Sequence, residues 1–411
     1  MSMQLRGSPV ALESTASLFD SRLFPRDFVS RNGKVERLAR KLAATVVQRE
    51  REGGSARAER QLLRESGLLT LAIPQQFGGQ GLVWPEIYRI VRYLAAVDSS
   101  LAHLFAFQHL QVATILLYGN PEQQRHWLSR TVQERWFWGN ATNSRGSRLQ
   151  LTRREEHYEL NGRKSFCSGA LGADALVVSA QRSHNPEDRA FIVLPSQREG
   201  VAVNDDWDAF GQRQTDSGTV QFEGVFVDSN EVLGPSGNSP RIGLRACLSQ
   251  LVLIQLYLGN AQGALDAALN YTREHSRVWP ASGVTIATDD PFIQQRYGEL
   301  WLLYRSAYLL AEHAAQRLQQ AWEKPALTAA ERAEVALAVN EAKVVSARSA
   351  LEITSRIFES MGASSTSGQY GFDRFWRNVR VHSLHDPLDY KVRDLGNWLL
   401  NAKPPTPSLY G

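Results

Sequence analysis

Residues 149–178, LQLTRREEHYELNGRKSFCSGALGADALVV, decide the fold, because the hydrophobic period changes there. Upstream, apolar residues recur every three or four positions. Within the stretch they alternate with polar ones and β-branched residues gather, which predicts strands. RAFIVLP (189–195) and GTVQFEGVFVD (218–228) continue the pattern, with turn residues at Asn161-Gly162 and Ser217-Gly218. An Asn-Gly pair between alternating runs predicts a hairpin at 161–162. The reading is a β domain over 136–236, set between a helical domain over 1–135 and another over 237–411.

On the N-terminal side, Val35, Leu38, Leu42 and Val46 give the stretch from Arg31 to Glu52 one apolar face. RQLLRESGLLTLAIP (60–74) reads as a helix stopped near Gly67. Pro85 and Glu86 suit a helix's first turn, where proline loses no hydrogen bond and a carboxylate meets the positive dipole end. Asp98-Ser99 is expected to end that helix and cap the next, and PEQQRHWLSRTV adds a short one after Gly119-Asn120. On the C-terminal side, helices expected over 240–277, 291–322, 328–361 and 383–401 carry apolar stripes and predict a four-helix bundle.

The chain has 411 residues, with 46 basic against 42 acidic side chains and a net charge of +4. No lysine–arginine run stands out, and basic residues sit beside acids, as in RERE (49–52) and RREE (153–156). No nucleic-acid partner is expected, although a local basic pocket for a phosphate-bearing ligand stays open. Cys167 and Cys247 have neither a metal-ligand spacing nor the number a disulfide framework needs. The N-terminus has no basic segment leading into a long apolar run. No uninterrupted apolar run reaches the roughly 18 residues of a membrane span. The expectation is a soluble cytoplasmic protein with no membrane partner.

RVHSLHDPLDYK (380–391) holds two of the nine histidines. His382 and His385 are three apart, not four, and no second cluster of ligating residues completes a shell, so no metal is expected. Pro387 is tolerated in a helix's first turn. His385-Asp386 is therefore expected to open the last helix, with Asp386 as its cap and a positive dipole end suited to an anion.

SGLLTLAIPQQFGGQGL (66–82), GRKSFCSGALGADALVV (162–178), YTREHSRVWP (271–280) and YGFDRFWRNVRVHSLHD (370–386) stand in the order of the signatures of the acyl-CoA dehydrogenase superfamily. The chain resembles that superfamily over roughly residues 30–400. The resemblance implies a mainly α fold with an inserted β domain: an N-terminal helical domain, a middle β-barrel or sandwich, and a C-terminal four-helix bundle. The departures are informative. The position of the dehydrogenases' basic glutamate is Asp386, and an alternative base site falls at Ser249-Gln250, which has no carboxylate. ESMGASSTSGQYG (359–371) lacks the glutamine and paired glycines that hold the second half of FAD. TNSRGSR (142–148) departs from the dehydrogenase motif before the β domain.

WGNA (138–141), KSFCSGA (164–170), NDDWDAFGQRQTDSG (204–218), YLGNAQGALDAA (257–268) and GFDRFWRNVRVHSLHDP (371–387) resemble instead the dibenzothiophene monooxygenase-like branch. That branch implies a homotetramer using FMNH2 from a separate flavin reductase, with FAD less favoured. It implies reaction with O2 through a flavin C4a-hydroperoxide and oxygenation of an organosulfur or aromatic compound. Such chemistry needs water excluded and the flavin's polar edge held. The resemblance assigns His103, Asn140, Ser168 and His385 to catalysis. It assigns Phe166, Ser168, Trp207, Arg277, His382 and His385 to the cofactor, with Arg277 at the phosphate. Phe107 falls where the branch can carry a tyrosine. Without the resemblance, Ser168 and Asn140 read as turn residues, His103, Phe166 and Trp207 as core, and Arg277 as a helix-end cation. Two other readings remain: an FAD-dependent acyl-CoA dehydrogenase with Asp386 as base, and a flavin-less scaffold.

Overall fold

The computed structural model describes Phe19 and residues 33–143, 149–183, 185, 188–234 and 239–408. The expectations for the segment before Gly33 lie outside these residues, Phe19 aside, as do positions 144–148 of TNSRGSR.

The helix expected over Arg31–Glu52 is two helices, α1 (Gly33–Ala43) and α2 (Val46–Glu52). Thr45 breaks it: its hydroxyl donates to Glu59 at 3.2 Å and accepts from Arg49 Nε at 2.8 Å. A short hydroxyl side chain offers bonds that compete with the helix. α3 (Arg57–Glu65) and α4 (Trp84–Val97) follow, and Pro85 lies in α4's first turn as expected. Asp98 accepts the Leu101 N–H at 3.0 Å and caps α5 (Ser99–Tyr118). α5 is long and apolar enough to cross a membrane, although serine, histidine and glutamine punctuate it so that it holds no long uninterrupted apolar run. It is mostly buried in the protein, packed on α4, on the helix Leu244–Glu274 and on the strand Trp138–Ala141, so its apolar faces already have partners. α6 (Pro121–Gln133) begins with a reciprocal cap between Asn120 and Gln123, at 3.0 and 2.9 Å.

The middle domain is one curled sheet of β1 (Trp138–Ala141), β2 (Gln150–Arg153), β3 (Tyr158–Lys164), β4 (Ala175–Gln181), β5 (Arg189–Pro195), β6 (Val201–Val203) and β7 (Val220–Val227). Strand order is β1-β4-β2-β3-β7-β6, with β5 on β4. β1 runs parallel to β4, pairing Asn140 with Val177. The hairpin expected at Asn161-Gly162 is not there. β3 passes straight through that pair, and the turn forms in the charged stretch Arg154–His157, closed by the Arg154 N–H to His157 O at 2.8 Å. Asn161 instead accepts the Gly224 N–H at 2.7 Å beside a register shift against β7. The Asn-Gly chemistry serves a bulge.

α7 (Leu244–Glu274), α8 (Pro291–Glu323), α9 (Ala329–Met361) and α11 (Leu388–Asn401) are the four expected bundle helices. Between the last two lies an unforeseen helix, α10 (Asp373–Ser383), which buries Phe375, Asn378, Val379 and His382. α11 starts at Leu388 rather than 383, and Asp386 is not its cap: Pro387 holds that position without a side-chain bond. The residue before a proline is driven out of helical geometry, which separates Asp386 from the helix.

Candidate active site

The turn between α10 and α11 aims Asp386 inward. Its carboxylate lies 3.0 Å from His385 Nδ1, 3.4 Å from Lys343 Nζ and 3.9 Å from Lys391 Nζ, and accepts from Gln250 Nε2 at 3.3 Å. Burial opposes ionisation, but the His385 hydrogen bond and the Lys343 charge outweigh it and hold the carboxyl well below the usual carboxylate range. Burial also pulls the Lys343 amine down to about 8, against the opposing pull of Asp386. Tyr257 donates to His382 O at 2.9 Å, and its ring lies 5.1 Å from the Lys343 ammonium. Asp386 is thus a buried anion fully engaged with cations and donors.

Over this turn two imidazoles stack. His103 of α5 lies 4.0 Å from the Phe107 ring and 4.9 Å from His382 of α10, nearly parallel to both. Neither ring nitrogen of His103, nor His382 Nδ1, has a hydrogen-bond partner among the described residues. Burial pushes His103 down to about 3, with His385 adding to the effect, and pushes His382 well below the ordinary histidine value. Both rings are neutral at pH 7, and their nitrogens are places a ligand's polar atoms would satisfy.

The sheet and its turns hold a second group of the candidate residues. Ser168 Oγ is 2.8 Å from Ser217 Oγ, which is 2.7 Å from Thr215 Oγ1. The Asn140 N–H donates to Ser168 O at 3.0 Å, joining β1 to the turn after β3. Asn140 Oδ1 accepts from Gln111 Nε2 at 3.1 Å and Thr142 Oγ1 at 2.7 Å, which fixes the amide's orientation. Phe166 sits at φ 57°, a conformation non-glycine residues seldom adopt. Its ring is 59% exposed and meets Trp207 edge-on at 5.9 Å.

Of the residues singled out in the sequence, His103 meets His382, Asn140 meets Ser168, and Phe166 meets Trp207. His385 adjoins the first group through Asp386 and its charge on His103. Arg277 shares none of these hydrogen bonds or ring contacts among the described residues. It is exposed beyond α7 and lines a pocket of about 360 Å³ with Thr272, Arg273, Ser276 and Thr288. Sequence reasoning missed Lys343, Lys391, Tyr257 and the Thr215–Ser217 pair. The signal for Lys343 was a lysine on the buried stripe of Asn340, Ala347 and Ala350.

The neutral imidazoles make a pH prediction. His103, and His109 farther along α5, are both held near 3 by burial, against 6.5 ordinarily. The unfolded chain takes up these protons below about 6.5 and the folded chain does not until about 3. Stability therefore falls with acid across that window, by about 1.4 kcal/mol per pH unit for each group. Urea unfolding between pH 7 and 4.5 should show this slope, and His109→Gln should flatten it. An unchanged slope in the variant would mean His109 titrates normally.

The N-terminal, middle and C-terminal domain models of acyl-CoA dehydrogenase match residues 32–135, 139–225 and 251–390. The chain belongs to the acyl-CoA dehydrogenase family. A probable FMNH2-dependent monooxygenase of Pseudomonas putida is 44% identical over 91% of this chain and 95% of its own length. The structure of methanesulfinate monooxygenase from Pseudomonas fluorescens superposes with a TM-score of 0.90 at 43% identity, covering 92% of this chain and 99% of that one. Dibenzothiophene monooxygenase from Paenibacillus sp. A11-2, solved with FMN and indole, superposes with a TM-score of 0.88 at 43% identity and the same coverage. Within the family the chain groups with these flavin-dependent monooxygenases.

Proposed function

We propose that the protein is a two-component monooxygenase that uses FMNH2 and O2 to add one oxygen atom to an organosulfur compound, small or aromatic, in sulfur assimilation or desulfurisation. The observation that carries the reading is Asp386. At the position of the dehydrogenases' base stands a carboxylate that is ionised, buried and tied to His385, Lys343 and Gln250. A group held so far below its usual range has little affinity for a substrate's carbon-bound proton.

The residues present fit a flavin. The unpartnered nitrogens of His103 and His382 match a ring system with polar edges, and the exposed Phe166 ring with the half-buried Trp207 offers an apolar wall. Reduced FMN, when bound, supplies the two electrons that let one oxygen atom of O2 pass to substrate while the other leaves as water. Ser168 and Asn140 would orient the polar edge and the substrate. The neutral His103–His382 stack would keep charge and water away from the reacting oxygen, and His385 would contact the ring from the α10–α11 turn. The Arg277 pocket, which also holds Arg273, would take the phosphate. FMN is favoured over FAD because ESMGASSTSGQYG lacks the dinucleotide-holding glycines.

The reading extends to a homotetramer in the cytoplasm that receives FMNH2 by diffusion from a flavin reductase. Exposed apolar side chains on α8 (Phe292, Leu302, Leu309) and α11 (Tyr390, Leu399, Leu400) support assembly between copies. A coupled assay with reductase, NADH and FMN, screened over sulfides, sulfones, sulfinates and thiophenes, tests the activity. Oxygenated product only with the full system is expected. A yellow protein that holds FAD through purification and reduces dyes with acyl thioesters would replace this reading by the dehydrogenase one. Arg277→Ala should raise the FMNH2 concentration for half-maximal rate roughly tenfold or more, in line with loss of a charged hydrogen bond. Unaltered dependence would leave Arg277 as a helix-end cation.

A further inference from the structure

The start of α7 and the first turns of α9 enclose a positive charge with no acceptor among the described residues. Arg332 is 2% exposed, and its Nε and both Nη atoms are buried with no hydrogen-bond partner among the described residues. The side chain lies against Gly243, the N-cap of α7, where an added Cβ would fall 2.9 Å from Arg332 Nε. α7 is 31 residues long, its N-cap makes no side-chain hydrogen bond, and its first turn carries no acid. The positive end of a long helix and a desolvated guanidinium therefore sit together. Lys391 of α11 and Cys247 of α7 are close enough to feel the Arg332 charge.

No carboxylate pairs with the Arg332 guanidinium among the described residues. Glu331 serves Lys324 and the Thr328 N–H, Glu334 serves Arg317, and Asp394 serves Arg393. Asp386 is held by Lys343 and His385 and also pairs with Lys391 at 3.9 Å. A guanidinium has five donors and no accessible neutral form, so burying it without an acceptor is among the least tolerable arrangements in a protein interior.

We infer that Arg332, the N-terminus of α7 and Lys391 form a binding site for a small oxyanion, one that presents two oxygens to the guanidinium fork. Inorganic oxyanions and short organic sulfonates or sulfinates share that face. Such an anion joins α7, α9 and α11, and through Lys391 it adjoins the Asp386 turn. The inference does not rest on the monooxygenase reading, and its test needs no flavin.

Crystals of the full chain soaked in bromide should show an anomalous peak in contact with the Arg332 guanidinium. A water there, or no density, would overturn the site. In parallel, thermal unfolding of the full chain is followed at constant ionic strength in sulfate, methanesulfonate and chloride. A saturable rise with sulfate alone identifies an inorganic ligand, and one with methanesulfonate an organic one; either rise should vanish in Arg332→Met. The variant should melt no lower than wild type without added anion, since it removes a buried charge. An identical anion response in wild type and variant would overturn the site. If the variant does not fold, the bromide experiment on the wild-type chain decides alone.

Discussion

Asp386→Ala is expected to cost about 3–5 kcal/mol of stability and to abolish oxygenation, the penalty for breaking a buried charge pair from one side. The carboxylate is 4% exposed and its Lys343 partner 1%, so neither charge has water to fall back on when the other is removed. Lys343 is already pulled down to about 8 with Asp386 in place, and losing the anion would drive it further. Asp386→Asn keeps the volume but not the charge and should lose nearly as much. The double variant Asp386→Asn with Lys343→Met should recover part of the stability, because it removes the stranded cation, without recovering activity, because His385 has lost its anchor. Urea unfolding and the coupled oxygenation assay on the four proteins read both effects. A single variant as stable as wild type would mean the carboxylate is solvated and unpaired, and the argument against Asp386 as a base would fall with it.

The three-part architecture was legible because the period of apolar residues changes at 149–178 and changes back near 240. Helix starts at Asp98 and Asn120 were equally legible, since a cap is a local bond within three residues. What failed depended on partners far along the chain. Asn161-Gly162 has the composition of a turn, yet its side chain finds Gly224 on another strand. α10 escaped notice because Arg374, Arg377 and Arg380 interrupt its apolar positions, and its buried residues face α7 and α9 rather than one another. The pair in HSLH was misleading in the same way. His382 turns inward to His103 and His385 to Asp386, so residues three apart in sequence act in different clusters. The partner of Asp386 lies 43 residues upstream, and only the bundle's packing brings Lys343 to it. Composition and family likeness named most of the candidate residues; neither could supply the charge state of Asp386, which separates dehydrogenase from oxygenase chemistry.

His385→Phe should lower product formation by about 10²-fold while NADH and O2 continue to be consumed and hydrogen peroxide accumulates, the scale expected for losing a positioned proton donor or acceptor. The carboxylate of Asp386 can only accept, so His385 Nδ1 carries the hydrogen between them, and this fixes the ring with Nε2 on the edge away from Asp386. The side chain is 41% exposed, against a nearly enclosed Asp386, which places it at the mouth of the cluster rather than in the packing. A phenyl ring fills the same space without either nitrogen, so loss of fit is a poor explanation for a changed product ratio. His385→Gln, which restores a polar edge, should recover part of the coupling, and the ratio of product to peroxide is the quantity that separates the two variants. Equal ratios in wild type, Phe and Gln variants would remove His385 from the reaction and leave the oxygen's immediate environment to Ser168, Asn140 and the His103–His382 stack. A product rate restored by raising FMNH2 would place His385 in flavin binding instead, since free FMNH2 and O2 form peroxide without the protein and O2 consumption alone does not separate the two roles.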